Sequence, residues 1–92
     1  MRLEIISPEA VLFSGEVTSV TVPGADGEFQ MLNNHAAIVS VLTKGKIKID
    51  SNSFEKSTQF KDKFAKESNK YTLSINSGTL EMKDNKAVIL VD

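Results

Sequence analysis

The stretch Val22-Pro23-Gly24-Ala25-Asp26-Gly27-Glu28-Phe29-Gln30-Met31-Leu32-Asn33-Asn34-His35-Ala36-Ala37 holds three turn signals, two carboxylates and the only histidine of the chain. Pro23-Gly24 and Asp26-Gly27 are turn dipeptides: proline presets φ, glycine takes positive φ without penalty, and aspartate caps its own turn. Between them and the next turn signal, Asn33-Asn34, lies the alternating run Glu28-Phe29-Gln30-Met31. Alternation sets Phe29 and Met31 on one face and Glu28 and Gln30 on the other. The stretch therefore reads as strand, tight loop, short strand, tight loop, strand, with its acids and imidazole carried at the loops.

Working outward, the flanks keep the same β character. Leu3 to Ile6 is a short apolar run stopped by Ser7-Pro8, since proline cannot donate to a ladder. Val11 to Phe13 resumes, with Ser14-Gly15 read as its turn, and Glu16 to Val22 is a strand rich in Val and Thr. Ile38 to Leu42 is apolar but for Ser40 and predicts a strand buried on both faces. Lys46 to Asp50 alternates, with Ile47 and Ile49 inward. Tyr71, Leu73 and Ile75 share one face. Asp84-Asn85 makes a two-residue hairpin turn before a closing buried strand, Ala87 to Val91.

Residues 51–70 differ in character. They carry five of the eleven basic residues, and their large apolar groups are Phe54, Phe60 and Phe64. The four-residue spacing of Phe60 and Phe64 allows a short amphipathic helix over about 58–68 that lays both rings on the sheet. A solvated hairpin tip is the alternative. About eight to ten short strands, turn signals at close intervals and no βαβ spacing predict an all-β chain, a flattened antiparallel β-sandwich or barrel. A short helix is expected only within the 54–68 insert.

Bulk properties limit the function classes. Ninety-two residues make one domain, and 40% hydrophobic content supports a modest core. A net charge of -1 offers no basic footprint for nucleic acid. The chain has no cysteine, hence no disulfide framework or thiolate chemistry. Glu4, Glu9 and Glu16 interrupt the apolar N-terminal residues, so no signal peptide or membrane span is expected there. Asp26, Glu28 and His35 are the candidate acids, base or metal ligands, but one imidazole and two carboxylates make a thin shell. Turn chemistry accounts for Asp26, and Glu28 reads as a surface charge. His35 either bridges backbone groups at its loop or serves an interface. Glycines isolated at turns form no phosphate loop, and no nucleophile elbow is present. A binding or structural module fits these residues better than an enzyme.

The run LEIISPEAVLFSGEVTSVTVPGADGEFQMLNNHAAIVSVLTKGKIKI, followed by SGTLEM and AVILV, resembles the N-terminal domain of the epsilon subunit of F-type ATP synthase, called delta in mitochondria. The likeness covers residues 3–91. Its most specific parts are Phe13-Ser14-Gly15, Pro23-Gly24 with Gly27-Glu28, His35-Ala36, Gly45 with Ile47 and Ile49, and Ser77-Gly78 with Leu80-Glu81. Asn33, Asn34 and Ala37 depart from the Pro-Gly and Pro that the family usually places around the histidine. Asparagine tolerates the left-handed conformation, so a similar turn is retained. Residues 51–69 exceed the family's usual hairpin, and the helical hairpin that commonly follows the β-domain is expected to be absent.

The resemblance implies a rotor subunit that links the gamma subunit to the polar loops of the c-ring and, indirectly, to the catalytic head. It implies no cofactor, no metal and no catalytic residue in this domain. Carried over by position, Asp26, Gly27 and Glu28 would face the c-ring, and His35, Ala36 and Ser40 would face gamma. The expected location is the cytoplasmic face of the bacterial inner membrane, peripheral, without direct insertion into the bilayer. Two competing classes are a free-standing β-sandwich that binds carbohydrate or a peptide strand, and a metal-assisted hydrolase using His35 and Asp26. The first lacks an aromatic platform, since the chain has no tryptophan.

Overall fold

Turn residues at close intervals leave room only for short strands, and a computed structural model covering residues 1–92 contains ten. They are β1 (Arg2–Ile6), β2 (Val11–Glu16), β3 (Ser19–Gly24), β4 (Gly27–Leu32), β5 (Ile38–Leu42), β6 (Gly45–Asp50), β7 (Ala65–Glu67), β8 (Lys70–Ile75), β9 (Gly78–Lys83) and β10 (Lys86–Val91). One curled sheet results, in the order β2-β1-β10-β9-β5-β3-β6-β8-β7, with β4 paired to β3. Its two halves meet at a single bridge, Gly24 opposite Leu42. Twenty buried apolar residues fill the space the curl encloses.

Every pairing is antiparallel except one. β1 lies parallel to β10, joining the first strand to the last. A parallel pair needs a long connection, and here the rest of the domain is that connection. Pro8 and a bond from the Ser7 amide to the Ala10 carbonyl, 2.8 Å, turn β1 into β2. Asp84 and Asn85, at φ 52° and 60°, form the two-residue turn between β9 and β10, as primed hairpin turns require.

Five local expectations need correction. Ser14-Gly15 is strand interior, because β2 continues to Glu16 along β1. The strand expected from Glu16 begins instead at Ser19, since the Val17 and Thr18 amides turn to the Met1 and Asp50 carbonyls. β5 is not buried on both faces: Val39 is 76% and Val41 62% exposed. β10 alternates too, with Leu90 half exposed. Continuous apolar runs on this sheet face solvent with every second residue, because nothing in the chain covers its outer face.

The fifth correction concerns the insert. No helix spans 58–68. A one-turn helix α1 (Phe54–Ser57) is followed by a 3-10 turn (Lys61–Lys63) and then by β7. Thr58 explains the break: its backbone is extended, at φ -145° and ψ 144°, and its hydroxyl donates to the Leu12 carbonyl at 2.6 Å. A threonine tied to a strand's edge cannot stay helical. Phe54, rather than the Phe60/Phe64 pair, is the buried anchor. It stacks on Tyr71 with ring centroids 3.7 Å apart and meets Phe64 edge-on at 5.2 Å. Phe13 completes the cluster from β2, 6.2 Å from Phe54.

β7 is held at the sheet margin by charge. Lys46 Nζ donates to Glu67 Oε2 at 2.6 Å, and Thr72 Oγ1 donates to the same oxygen at 3.4 Å. The Lys46 bond and charge, with help from Thr72, hold the Glu67 carboxyl below the usual glutamate range.

Two outcomes follow from this packing. Phe54→Ala should lower stability by about 3–5 kcal/mol in urea unfolding, the range for deleting a buried aromatic ring; a loss below about 1 kcal/mol would show that the insert does not help hold the core. Lys46→Gln should return the Glu67 titration, followed by NMR, to the ordinary range. Because the folded carboxyl is depressed, its tether on β7 is present above the ordinary glutamate range and is lost as pH falls through the depressed value.

Candidate interface surfaces

The β3–β4 hairpin closes through a two-residue loop, Ala25 and Asp26. Gly27 takes φ 123°, a conformation strained for any residue with a Cβ. Gly24 is required for space instead: a Cβ there would stand 2.8 Å from the Phe29 ring and 2.9 Å from the Gly27 carbonyl. With the turn so fixed, Asp26, Gly27 and Glu28 project as an exposed tip. Glu28 is not free, since Lys48 Nζ from β6 lies 3.2 Å from its Oε2. A neighbouring groove of about 600 Å³ is lined by residues 24–29 on one wall and 38–41 on the other.

His35 lies away from this tip, beyond the far end of β4. Its amide donates to the Leu32 carbonyl at 3.1 Å. Its Nδ1 lies 2.8 Å from the Ala36 carbonyl; a carbonyl only accepts, so Nδ1 carries the proton and Nε2 is left for a partner. Asn34, at φ 63°, supplies the left-handed turn that asparagine allows. The loop is pinned from across the sheet: Asn85 Oδ1 accepts from the Asn34 amide at 2.7 Å, and Asn33 Oδ1 accepts from Asn85 Nδ2 at 3.0 Å and from the Met1 nitrogen at 2.8 Å. His35 is half-buried and Ala36 exposed.

The structure thus separates what the sequence sets close together. Asp26 and His35 stand at opposite ends of β4, so they cannot share a metal or act as an acid–base pair, and no other cluster of potential ligands gathers. Ser40 joins the Asp26–Glu28 side, as part of the opposite groove wall. It is half-buried, with its hydroxyl 3.3 Å from the Val41 carbonyl, and its neighbours Val39 and Val41 are the side chains on the outer face.

One surface escapes sequence reasoning. Register places Val41 opposite Thr79, Thr79 opposite Leu90, Leu90 opposite Ile6, and Ile6 opposite Val11. The four apolar members form a row across the outer face of β5, β9, β10, β1 and β2. Val41, Leu90 and Val11 are each more than half exposed. The next row, Val39-Glu81-Val88-Glu4-Ser14, is mixed, so the apolar band is narrow and edged by charge. Only pairing register reveals it, because its four apolar members come from four separate strands.

Known proteins share this fold. The family model described as ATP synthase, Delta/Epsilon chain, beta-sandwich domain matches residues 1–92. The ATP synthase epsilon chain of Chlorobium limicola is 35% identical over 91 residues, covering 99% of this chain and 88% of that one. That of Nitratiruptor sp. is 35% identical over 92 residues, and here the chain spans 60% of the relative's length. Among solved structures, a chain of the Euglena gracilis mitochondrial ATP synthase, OSCP/F1/c-ring, superposes with a TM-score of 0.74 at 18% identity, over 97% of this chain and 48% of that one. A chain of the Tetrahymena thermophila central stalk/c-ring assembly gives 0.66 at 18% identity, over 99% of this chain and 62% of that one. At such identity these two speak for the fold. The match over residues 1–92 and the 35% identity to a relative of which 88% is covered together show that the chain belongs to the delta/epsilon chain family of ATP synthase, over its β-sandwich domain.

Proposed function

We propose that this domain is a rotor element of an ATP synthase, joining the gamma subunit of the central stalk to the polar loops of the c-ring and reaching the catalytic head only indirectly. It would transmit rotation and perform no chemistry of its own. The observation that carries the proposal is the apolar row of Val41, Leu90, Ile6 and Val11 on a chain of this family. Such a row costs solubility when bare and becomes useful when a partner covers it. Gamma is the partner assigned to it. His35 and Ala36 lead directly into β5, Ser40 lies within β5, and β5 opens the row through Val41. The three positions set against gamma by resemblance therefore share the strand β5 with the row, His35 and Ala36 at the end away from Val41.

The hairpin tip is assigned to the c-ring. Asp26 and Glu28 protrude on a loop whose geometry is set by Gly24 and Gly27, so a carboxylate is presented at low ordering cost. The Lys48 pair holds Glu28 in place but leaves it half exposed. No helix of the structure is long and apolar enough to cross a membrane, and contact with the ring would be through its loops. The domain would work as a peripheral part of the membrane-bound complex, on the cytoplasmic side in a bacterium.

Pull-down of the chain with purified gamma and with c-ring tests both assignments. Leu90→Glu should weaken gamma binding by about 10–100-fold, the effect of losing a central apolar anchor, and His35→Ala by less. Both should leave ring binding and the circular dichroism spectrum unchanged. Glu28→Lys should reduce ring binding, the more so at low salt, while leaving gamma binding intact. Full gamma binding by Leu90→Glu would overturn the gamma assignment.

A further inference from the structure

The geometry points to a strand-addition site on β5: we infer that its outer edge accepts an extended peptide segment bearing lysine or arginine, paired main chain to main chain within the groove beside the Asp26–Glu28 tip. This goes beyond the rotor proposal, which concerns side-chain surfaces, and it stands on the geometry of this chain alone. The backbone makes the case. Val41 accepts at its carbonyl from the Ala25 amide at 3.1 Å, and the Thr43 amide donates to the Pro23 carbonyl at 2.8 Å. Residues 41 and 43 therefore turn their peptide groups away from β9. Peptide groups alternate between the two edges of a strand, so Val39 shares that orientation. Strand pairing on this side ends at Gly24 and Leu42. The Val39 amide and carbonyl and the Val41 amide thus open into the groove without a backbone partner.

The other margins of the sheet are blunted against such an event. The edge of β2 is covered by hydroxyls, with Thr58 Oγ1 on the Leu12 carbonyl and Ser51 Oγ on the Glu16 carbonyl at 2.8 Å. β7 is three residues long and carries Lys66 and Glu67. β4 presents Glu28 and Gln30, and its Leu32 carbonyl is taken by His35. Short strands, charges and covers are the usual ways of blunting an edge. β5 has none of them: Ile38-Val39-Ser40-Val41 holds no charge and no proline.

Charge selects the occupant. The groove walls carry the Asp26 carboxylate, which has no cationic partner, and Glu28, which Lys48 from β6 pairs at 3.2 Å, but no lysine or arginine of their own. A second copy of this chain, pairing β5 with β5, would bring these carboxylates toward one another. An extended segment carrying cations meets them favourably and supplies the missing main-chain partners.

The experiment uses the full chain and a blocked Val-Lys-Val-Lys-Val peptide, with amide hydrogen exchange read by NMR. In the free protein Val39 and Val41 amides should exchange fast while Ser40, paired to β9, is protected. Saturating peptide should slow the Val39 amide at least about tenfold, as a new ladder bond does. The same peptide N-methylated at its central valine, or with glutamate in place of lysine, should not. Asp26→Asn combined with Glu28→Gln should weaken binding of the lysine peptide severalfold. Slow Val39 exchange in the dilute free chain, or no change at millimolar peptide, would overturn the site. Slowing that tracks protein concentration without peptide would assign the edge to a second copy and overturn the choice of occupant.

Discussion

An open β-sheet has margins, and each margin exposes peptide groups that must be paired, covered or made unattractive. That constraint organises this molecule. Curling the sheet brings its halves around one core but joins them only where Gly24 meets Leu42. What remains are four edges, and most of the residues that looked decorative in the sequence attend to them. The insert after β6 is the clearest case. Its hydroxyls satisfy β2 carbonyls, and its Phe54 seals the end of the core against Tyr71. Its last residues become β7, short and charged.

The same constraint explains why two glycines lie in tight packing rather than at turns. A Cβ on Gly15 would run into Ser57, and one on Gly78 would come within 2.5 Å of the Leu90 carbonyl. In both places backbone approaches backbone or a cover too closely for any side chain. Gly15 lets the insert sit down on β2. Gly78 lets β9 and β10 close beside the bridge to β5. Sequence reasoning credits glycine with turns, and Ser14-Gly15 is mistaken for one because close approach leaves no local pattern.

What is legible in the chain is therefore local. Alternation places Ile47, Ile49, Leu73 and Ile75 inward, and turn chemistry places the Asp84-Asn85 hairpin and the exposed Asp26–Glu28 tip. The misreadings arise where long-range partners decide. Ile38 to Leu42 looks doubly buried because nothing in those five residues reveals that one face of the sheet has no cover. A helix over 58–68 looks reasonable until Thr58 is seen bonded to Leu12, 46 residues away. The family resemblance names Ser40, but the outer-face contacts beside it belong to Val39 and Val41, whose role depends on register with β9 and β10. His35 and Asp26, nine positions apart, lie at opposite ends of a strand for the same reason.

A domain that passes torque between two partners needs stiffness between the surfaces that hold them. Here the two candidate surfaces share elements: β5 begins the apolar row and also forms one wall of the groove beside the hairpin tip. In the proposed rotor role, load entering through Val41 and Leu90 would reach the tip through β5 itself, the Ala25–Val41 and Thr43–Pro23 bonds, and the Gly24–Leu42 bridge. Load would also pass from Leu90 through the parallel β1–β10 pair, which ties the first and last strands into the same face. The narrow junction between the halves is thus where the two surfaces are mechanically closest. An extended partner strand laid along β5 would lengthen that junction by adding ladder bonds beside a single bridge. A bare edge at this position stiffens the joint only once its partner is in place, which suits an element whose rigidity matters in the assembly and not before it.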